Sequence, residues 1–221
     1  MALTSTTQTD LYRFFAIAFN AAPGVTYMNQ LYAASASGMT VKQIVNTFTT
    51  KAEFTSTYPA FLTDHDFAVK LINNVVGTSA TDTAKGAAIA NVESALVTMS
   101  RGDVVYQIFT NLASLTGDAT WGGTASLLAN KVAYAKYYTE TMLGGSSATP
   151  SLADLQAVLA NVTAASSTAP ADIQAVLNPT PAPAAQTFTL TTGIDLVTGG
   201  AGNDTFTGTA ATNTLTGLDS I

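Results

Sequence analysis

The chain has 221 residues, with 8 Lys+Arg against 14 Asp+Glu, a formal net charge of −6, no cysteine, 47% apolar residues and only 10% charged ones. A disulfide framework and zinc-thiolate sites are thereby excluded, and an acidic chain without a basic patch has nothing with which to displace counterions from nucleic acid. The apolar content is enough for a sizeable core in one or two domains. Residues Met1 to Asp10 have neither a basic start nor an apolar run, so no cleaved leader is expected. No segment approaches the eighteen consecutive apolar residues of a membrane span. Leu11, Phe14, Phe15, Ala18 and Phe19 then recur at helical spacing, a stripe that faces a core. Thr40-Val41-Lys42-Gln43 is a capping box ahead of Ile44, Val45 and Phe48. Asp64 reads as the cap of a helix through Phe67, Leu71 and Val75 that stops at Gly77, and a further helix runs over about 81–99 through Ile89, Val92 and Leu96. Ser100-Arg101-Gly102-Asp103 is a capping-box variant before Val104, Val105, Ile108, Phe109 and Leu112. The longest expected helix covers 124–143 and ends at Gly144-Gly145. Two shorter ones, 151–164 and 170–177, share the near copies Asp154-Leu155-Gln156-Ala157-Val158-Leu159 and Asp172-Ile173-Gln174-Ala175-Val176-Leu177.

Composition then shifts. Residues 179–186 are rich in proline and alanine, an extended linker between a helical domain over 1–178 that should fold alone and a region from 187 onward. Thr187-Phe188-Thr189-Leu190-Thr191 alternates polar and apolar residues, the periodicity of a strand. Gly199-Gly200-Ala201-Gly202-Asn203-Asp204-Thr205-Phe206-Thr207 matches in full the nine-residue pattern of the calcium-binding parallel β-roll. Three series keep the same step of nine: Gly199, Gly208, Gly217; Asp195, Asp204, Asn213; and Val197, Phe206, Leu215. Glycines allow tight turns with exposed carbonyls, Asp supplies a charged oxygen, and hard oxygen ligands suit Ca2+. The candidate metal residues are Gly193, Asp195, Gly199, Gly200, Gly202 and Asp204, with Ca2+ as the ion. The repeat decays at 208–213, where two glycines and the carboxylate are lost. The expected fold is therefore mainly α, a multi-helix N-terminal domain followed by a linker and the start of a calcium-binding β-roll that continues past Ile221.

Thr187 to Asp195, followed by Asn203-Asp204-Thr205-Phe206, resembles the entry into the calcium-binding region of bacterial surface-layer proteins of the Caulobacter type with RTX-like repeats. Leu11-Tyr12-Arg13-Phe14-Phe15 to Pro23, then Tyr27 to Leu31, Gly38-Met39-Thr40, Ile44, Phe48 and Glu53-Phe54, is similar to a helical domain of such proteins, with Gly24 standing where the family often has an acidic residue. The resemblance implies that the helical domain docks on outer-membrane lipopolysaccharide, through its O-polysaccharide or core, and that the calcium-dependent region self-associates into a lattice. It implies a structural, non-enzymatic protein at the bacterial cell surface, exported by type I secretion. Sugar faces stack on amphipathic aromatics, so Trp121, Tyr134 and Tyr137 are the glycan-contact candidates. The same sequence fits a type I-secreted RTX adhesin whose effector lies beyond residue 221. A secreted enzyme fits least, since no catalytic motif precedes Asp195.

Other signals have plainer accounts. His65 is the only histidine and, with no cysteine, completes no triad or metal site. Arg101-Gly102-Asp103 spells an integrin-type tripeptide but stands at a helix start, where Asp103 favours the dipole. Asn161-Val162-Thr163 and Asn203-Asp204-Thr205 match the N-glycosylation pattern, the first in an expected helix and the second in the calcium turn.

Overall fold

A computed structural model describes residues 4–144, 148–178, 187–192 and 205–208. The chain divides into two units, Met1–Leu177 and Asn178–Ile221. The first is helical: α1 Ser5–Phe19, α2 Gly24–Ala36, α3 Val41–Phe48, α4 Ala52–Thr57, α5 Asp64–Val76, α6 Asp82–Leu96, α7 Arg101–Leu112, α8 Gly122–Tyr137, a π-helical turn Tyr138–Met142, α9 Leu152–Ala160 and α10 Pro170–Leu177. Most start on a Ser or Thr whose hydroxyl accepts an early backbone N–H. Thr40 and Ser151 make full capping boxes with Gln43 and Asp154. The α5 cap is Thr63, one residue earlier than expected, because its hydroxyl accepts from Asp66 N at 3.1 Å and donates to Asp66 Oδ2 at 2.7 Å, with Asp64 and Asp66 both in the first turn. α2 and α4 were not anticipated as helices; both are short of a clean apolar stripe.

α1 is the axle of this unit. Leu11, Tyr12 and every residue from Phe14 to Phe19 are buried, so the helix is covered all round by α3, α5, α7, α8 and others, the pattern of a central core helix. Phe14 meets Phe15, Phe19 and Phe48 edge-on at 5.5, 6.0 and 5.3 Å between ring centroids. A second aromatic group, Phe54, Tyr58 and Phe67, adjoins it through Phe19.

Burying a helix end leaves its last carbonyls without water. Here three of them are met by side chains from three different parts of the chain. Asn74 Nδ2 donates to Ile17 O at 2.9 Å, the Tyr58 hydroxyl to Ala18 O at 2.9 Å, and Gln156 Nε2 to Phe19 O at 3.0 Å. Ala22 N adds a bond to Leu155 O at 3.0 Å. Tyr58 is 1% exposed, and burial pushes its phenol pKa upward, so it stays a neutral donor. Tyr58→Phe keeps the ring and strands the Ala18 carbonyl. It is expected to cost about 1–3 kcal/mol, measured as a lower urea midpoint at unchanged slope; an unchanged midpoint would show that the bond is not needed.

The Arg101-Gly102-Asp103 tripeptide is fully occupied in packing. Arg101 donates to Pro59 O and Leu62 O at 3.0 and 2.7 Å and lies over the Phe67 ring, 4.7 Å from its centroid. A Cβ added at Gly102 would strike Asn46 and lie 3.0 Å from its Cα, so glycine is what lets α7 close on α3. Asp103 accepts from Asn46 Nδ2 at 2.7 Å and faces Lys42 Nζ at 3.2 Å. His65 likewise pairs with Glu93, Nδ1 to Oε1 2.9 Å, joining α5 to α6. Asn161 is the C-cap of α9.

In the second unit the described residues form β1 Thr187–Thr189 and β2 Thr205–Thr207, a parallel pair. The described residues are thus mainly helical, with one small parallel sheet among them. The expected β-roll over 187–221 is not shown: of that stretch only residues 187–192 and 205–208 are described.

Candidate functional site

The strand pair has an informative register. Thr187 aligns with Thr205, Phe188 with Phe206 and Thr189 with Thr207, so each residue lies beside the one eighteen positions on (205 − 187 = 18), twice the repeat of nine. Leu190 N extends the ladder to Thr207 O at 2.8 Å. The Phe188 and Phe206 rings stack with centroids 5.0 Å apart and planes 14° apart. Phe188 also falls nine residues before Val197, which extends the apolar series one step towards the N-terminus. Gly193, Asp195, Gly199, Gly200, Gly202 and Asp204 lie outside the described residues, as does the second glycosylation pattern's Asn203. Among the described residues no group of three or more His, Cys, Asp or Glu could hold a metal ion.

In the helical unit the three aromatic candidates fall apart. Trp121 is the half-buried N-cap residue of α8, held by an Asx turn in which Asp118 Oδ1 accepts from Thr120 N and Trp121 N at 2.8 and 2.7 Å. Those two bonds hold the Asp118 carboxyl below the usual carboxylate range. Tyr134 is 2% exposed and belongs to the core. Tyr137 is half-buried and its hydroxyl bonds Gln174 Oε1 at 3.1 Å. Sixteen residues of helix separate Trp121 from Tyr137, about 24 Å at 1.5 Å per residue. No single sugar ring reaches both.

A different group converges. Tyr27 and Gln30 of α2 and Glu53 of α4 line two adjoining concavities, of about 290 and 210 Å³. Lys51, Thr47 and Met39 complete the first; Thr26, Pro23 and Pro150 belong to the second. The Tyr27 hydroxyl donates to Glu53 Oε1 at 3.1 Å while its ring packs on Phe15 and Phe48. Burial first, and then the Glu53 carboxylate, raise the Tyr27 pKa. The result is a cleft with an anchored ring, a carboxylate, an amide and an ammonium at its rim. Composition did not point here, because these residues come from α2 and α4, the two helices without a legible stripe.

No protein-family model, curated protein or solved structure matches the chain.

Two further polar features are structural. Tyr12 donates to Glu140 Oε1 at 2.9 Å, and Gln8 Nε2 donates both to Glu140 Oε1 at 2.6 Å and to Tyr32 OH at 2.7 Å. The π-helical turn that carries Glu140 thus ties the end of α8 to α1 and α2. Burial, reinforced by Glu140, raises the Tyr12 pKa. Lys131 of α8 is 7% exposed and has no ion-pair partner among the described residues. Burial lowers its pKa from 10.5 to about 8. The unfolded chain therefore binds this proton more tightly than the fold does, and the site weakens folding below pH 8; stability should rise as pH climbs from 8 towards 10. Lys131→Met is expected to stabilise by on the order of 2 kcal/mol at pH 7, with the gain shrinking towards pH 10. Equal urea midpoints for both proteins at pH 7 would contradict this.

Proposed function

We propose that this chain is the cell-anchoring part of a structural, surface-layer-type bacterial protein. Its helical unit holds outer-membrane lipopolysaccharide, and its calcium-binding repeats order the part that self-associates. The observation that carries the calcium-repeat reading is the eighteen-residue register of β1 on β2. Parallel strands that return after two nine-residue repeats are what a coil with one repeat on each face requires, and the stacked Phe188 and Phe206 lie on the same face of successive turns. In that coil Asp195 and Asp204, with carbonyls around Gly193, Gly199, Gly200 and Gly202, supply the oxygen ligands that suit Ca2+.

For the glycan, the cleft of Tyr27, Gln30 and Glu53 fits best. Sugar hydroxyls both donate and accept, and a carboxylate, an amide and an ammonium answer both roles; a held aromatic ring offers a face for sugar C–H groups. Weak single contacts suffice when a lattice links many copies. No helix among the described residues is long and apolar enough to cross a membrane. The test is co-sedimentation of the chain with isolated lipopolysaccharide. Glu53→Gln and Gln30→Ala, the latter at an exposed position, should each weaken binding roughly tenfold, about 1.4 kcal/mol, with far-UV circular dichroism unchanged. Loss of binding in Trp121→Ala or Tyr137→Ala instead would move the site to α8. Equal retention of the protein by wild-type cells and by cells stripped of both O-polysaccharide and core sugars would overturn the reading.

A further inference from the structure

A third concavity, of about 280 Å³, lies between α5, α6 and α7 and is also lined by Trp121. Its chemistry differs from that of the Tyr27 cleft. Val75, Val76, Val92 and Leu112 form its buried wall, and no ionisable side chain lines it. The Thr124 hydroxyl at its edge is already spent on Ser79 Oγ at 2.8 Å. The remaining polar side-chain groups are the Trp121 indole N–H and the amides of Asn91 and Asn111, the latter two at exposed positions at the mouth.

We propose that this cavity binds a medium-length aliphatic chain with an uncharged, hydrogen-bonding head group. Four observations converge on that occupant. The volume is nearly twice that of a cavity of ~150 Å³ lined by aliphatic side chains that stays dry and takes benzene. The buried polar atoms without a partner among the described residues are Asn20 Oδ1 and Thr139 Oγ1; neither lines the cavity, so nothing in it requires water. A carboxylate or ammonium head would lose its hydration without gaining a counter-charge, whereas a hydroxyl or amide pairs with the two Asn amides. α6, which roofs the cavity, buries Val92 alone of its fifteen residues, and it presents Ala87 and Ala88 to the opening, small residues that leave room for a guest. The inference is independent of the lipopolysaccharide reading, since it uses another face of the unit and another ligand class.

The chain contains one tryptophan and it lines this cavity, so its fluorescence reports occupancy directly. Titration of the full chain with 1-decanol should give a saturable change in Trp121 emission, and decanoate at pH 7 should bind at least tenfold more weakly. Ala88→Leu puts three more carbons into the space and should abolish the response. Ala87→Leu, at the exposed mouth, should weaken it at least tenfold with no risk to the core. Unchanged melting temperatures would show that both variants fold. A non-saturable response to decanol, an undiminished response in both variants, or decanoate binding as tightly as decanol overturns the proposal. Concentration-dependent dimerisation by light scattering that Ala87→Leu removes would overturn it too, by assigning the surface to a second copy of the chain.

Discussion

Phe14→Ala is expected to be the most damaging single truncation in the helical unit. The side chain is 0% exposed and meets three other phenylalanines edge-on, so the change opens a cavity beside the axle helix. Phe→Ala at such sites costs about 3–5 kcal/mol, a fifth or more of the roughly 5–15 kcal/mol that stabilises a domain. At about 2–4 °C per kcal/mol for a unit of this size, the melting temperature should fall by roughly 6–20 °C. Phe61→Ala is the internal control. That ring is 85% exposed in the loop between α4 and α5, and its loss should change stability by no more than about 0.5 kcal/mol. Equal shifts in the two variants, followed by far-UV circular dichroism, would refute the placement of the core.

Removal of calcium is expected to have an equally large effect, confined to the second unit. If Asp195, Asp204 and the glycine carbonyls ligate Ca2+, their mutual repulsion opposes closure of the repeat in chelator, and binding free energy becomes folding free energy. The Leu190 amide is the reporter, because it donates to Thr207 O across the strand pair. At calcium a hundredfold above its dissociation constant the linkage is worth ≈2.7 kcal/mol, so Leu190 exchange should slow by about a hundredfold. Asp204→Ala should abolish that protection, while amides buried in α1 should not respond to calcium in either protein. Leu190 protection that is the same with calcium and with chelator would sink the calcium reading, whatever the fate of the glycan one.

Much of the helical unit is legible in the sequence because its causes are local. The α1 stripe, the capping box at Thr40, the cap at Ser100 and the ends of α5 and α10 rest on contacts within one or two turns, where residue spacing and hydroxyl chemistry suffice. The error at Thr63 was of the same local kind, two good capping residues side by side, and the backbone geometry chose the hydroxyl. The strand at 187–189 and the step of nine were readable for the same reason, since periodicity is a property of the chain alone.

What the tertiary structure alone decided is where separate segments meet. The aromatics Trp121, Tyr134 and Tyr137 look alike in sequence, yet packing of α8 puts one at a cavity, one in the core and one against Gln174, because helix phase and neighbours decide burial, not residue type. The Tyr27, Gln30 and Glu53 cleft combines two helices whose apolar periodicity is weak. The buried C-terminus of α1 recruits Asn74, Tyr58 and Gln156 from distances of 57, 40 and 137 residues along the chain, which no window of sequence can display. The pairing of Thr187 with Thr205 turned a period of nine into a return after eighteen. A period states only that residues are equivalent; which copies touch is set by the number of repeats in one turn of the backbone, and that is a property of three dimensions.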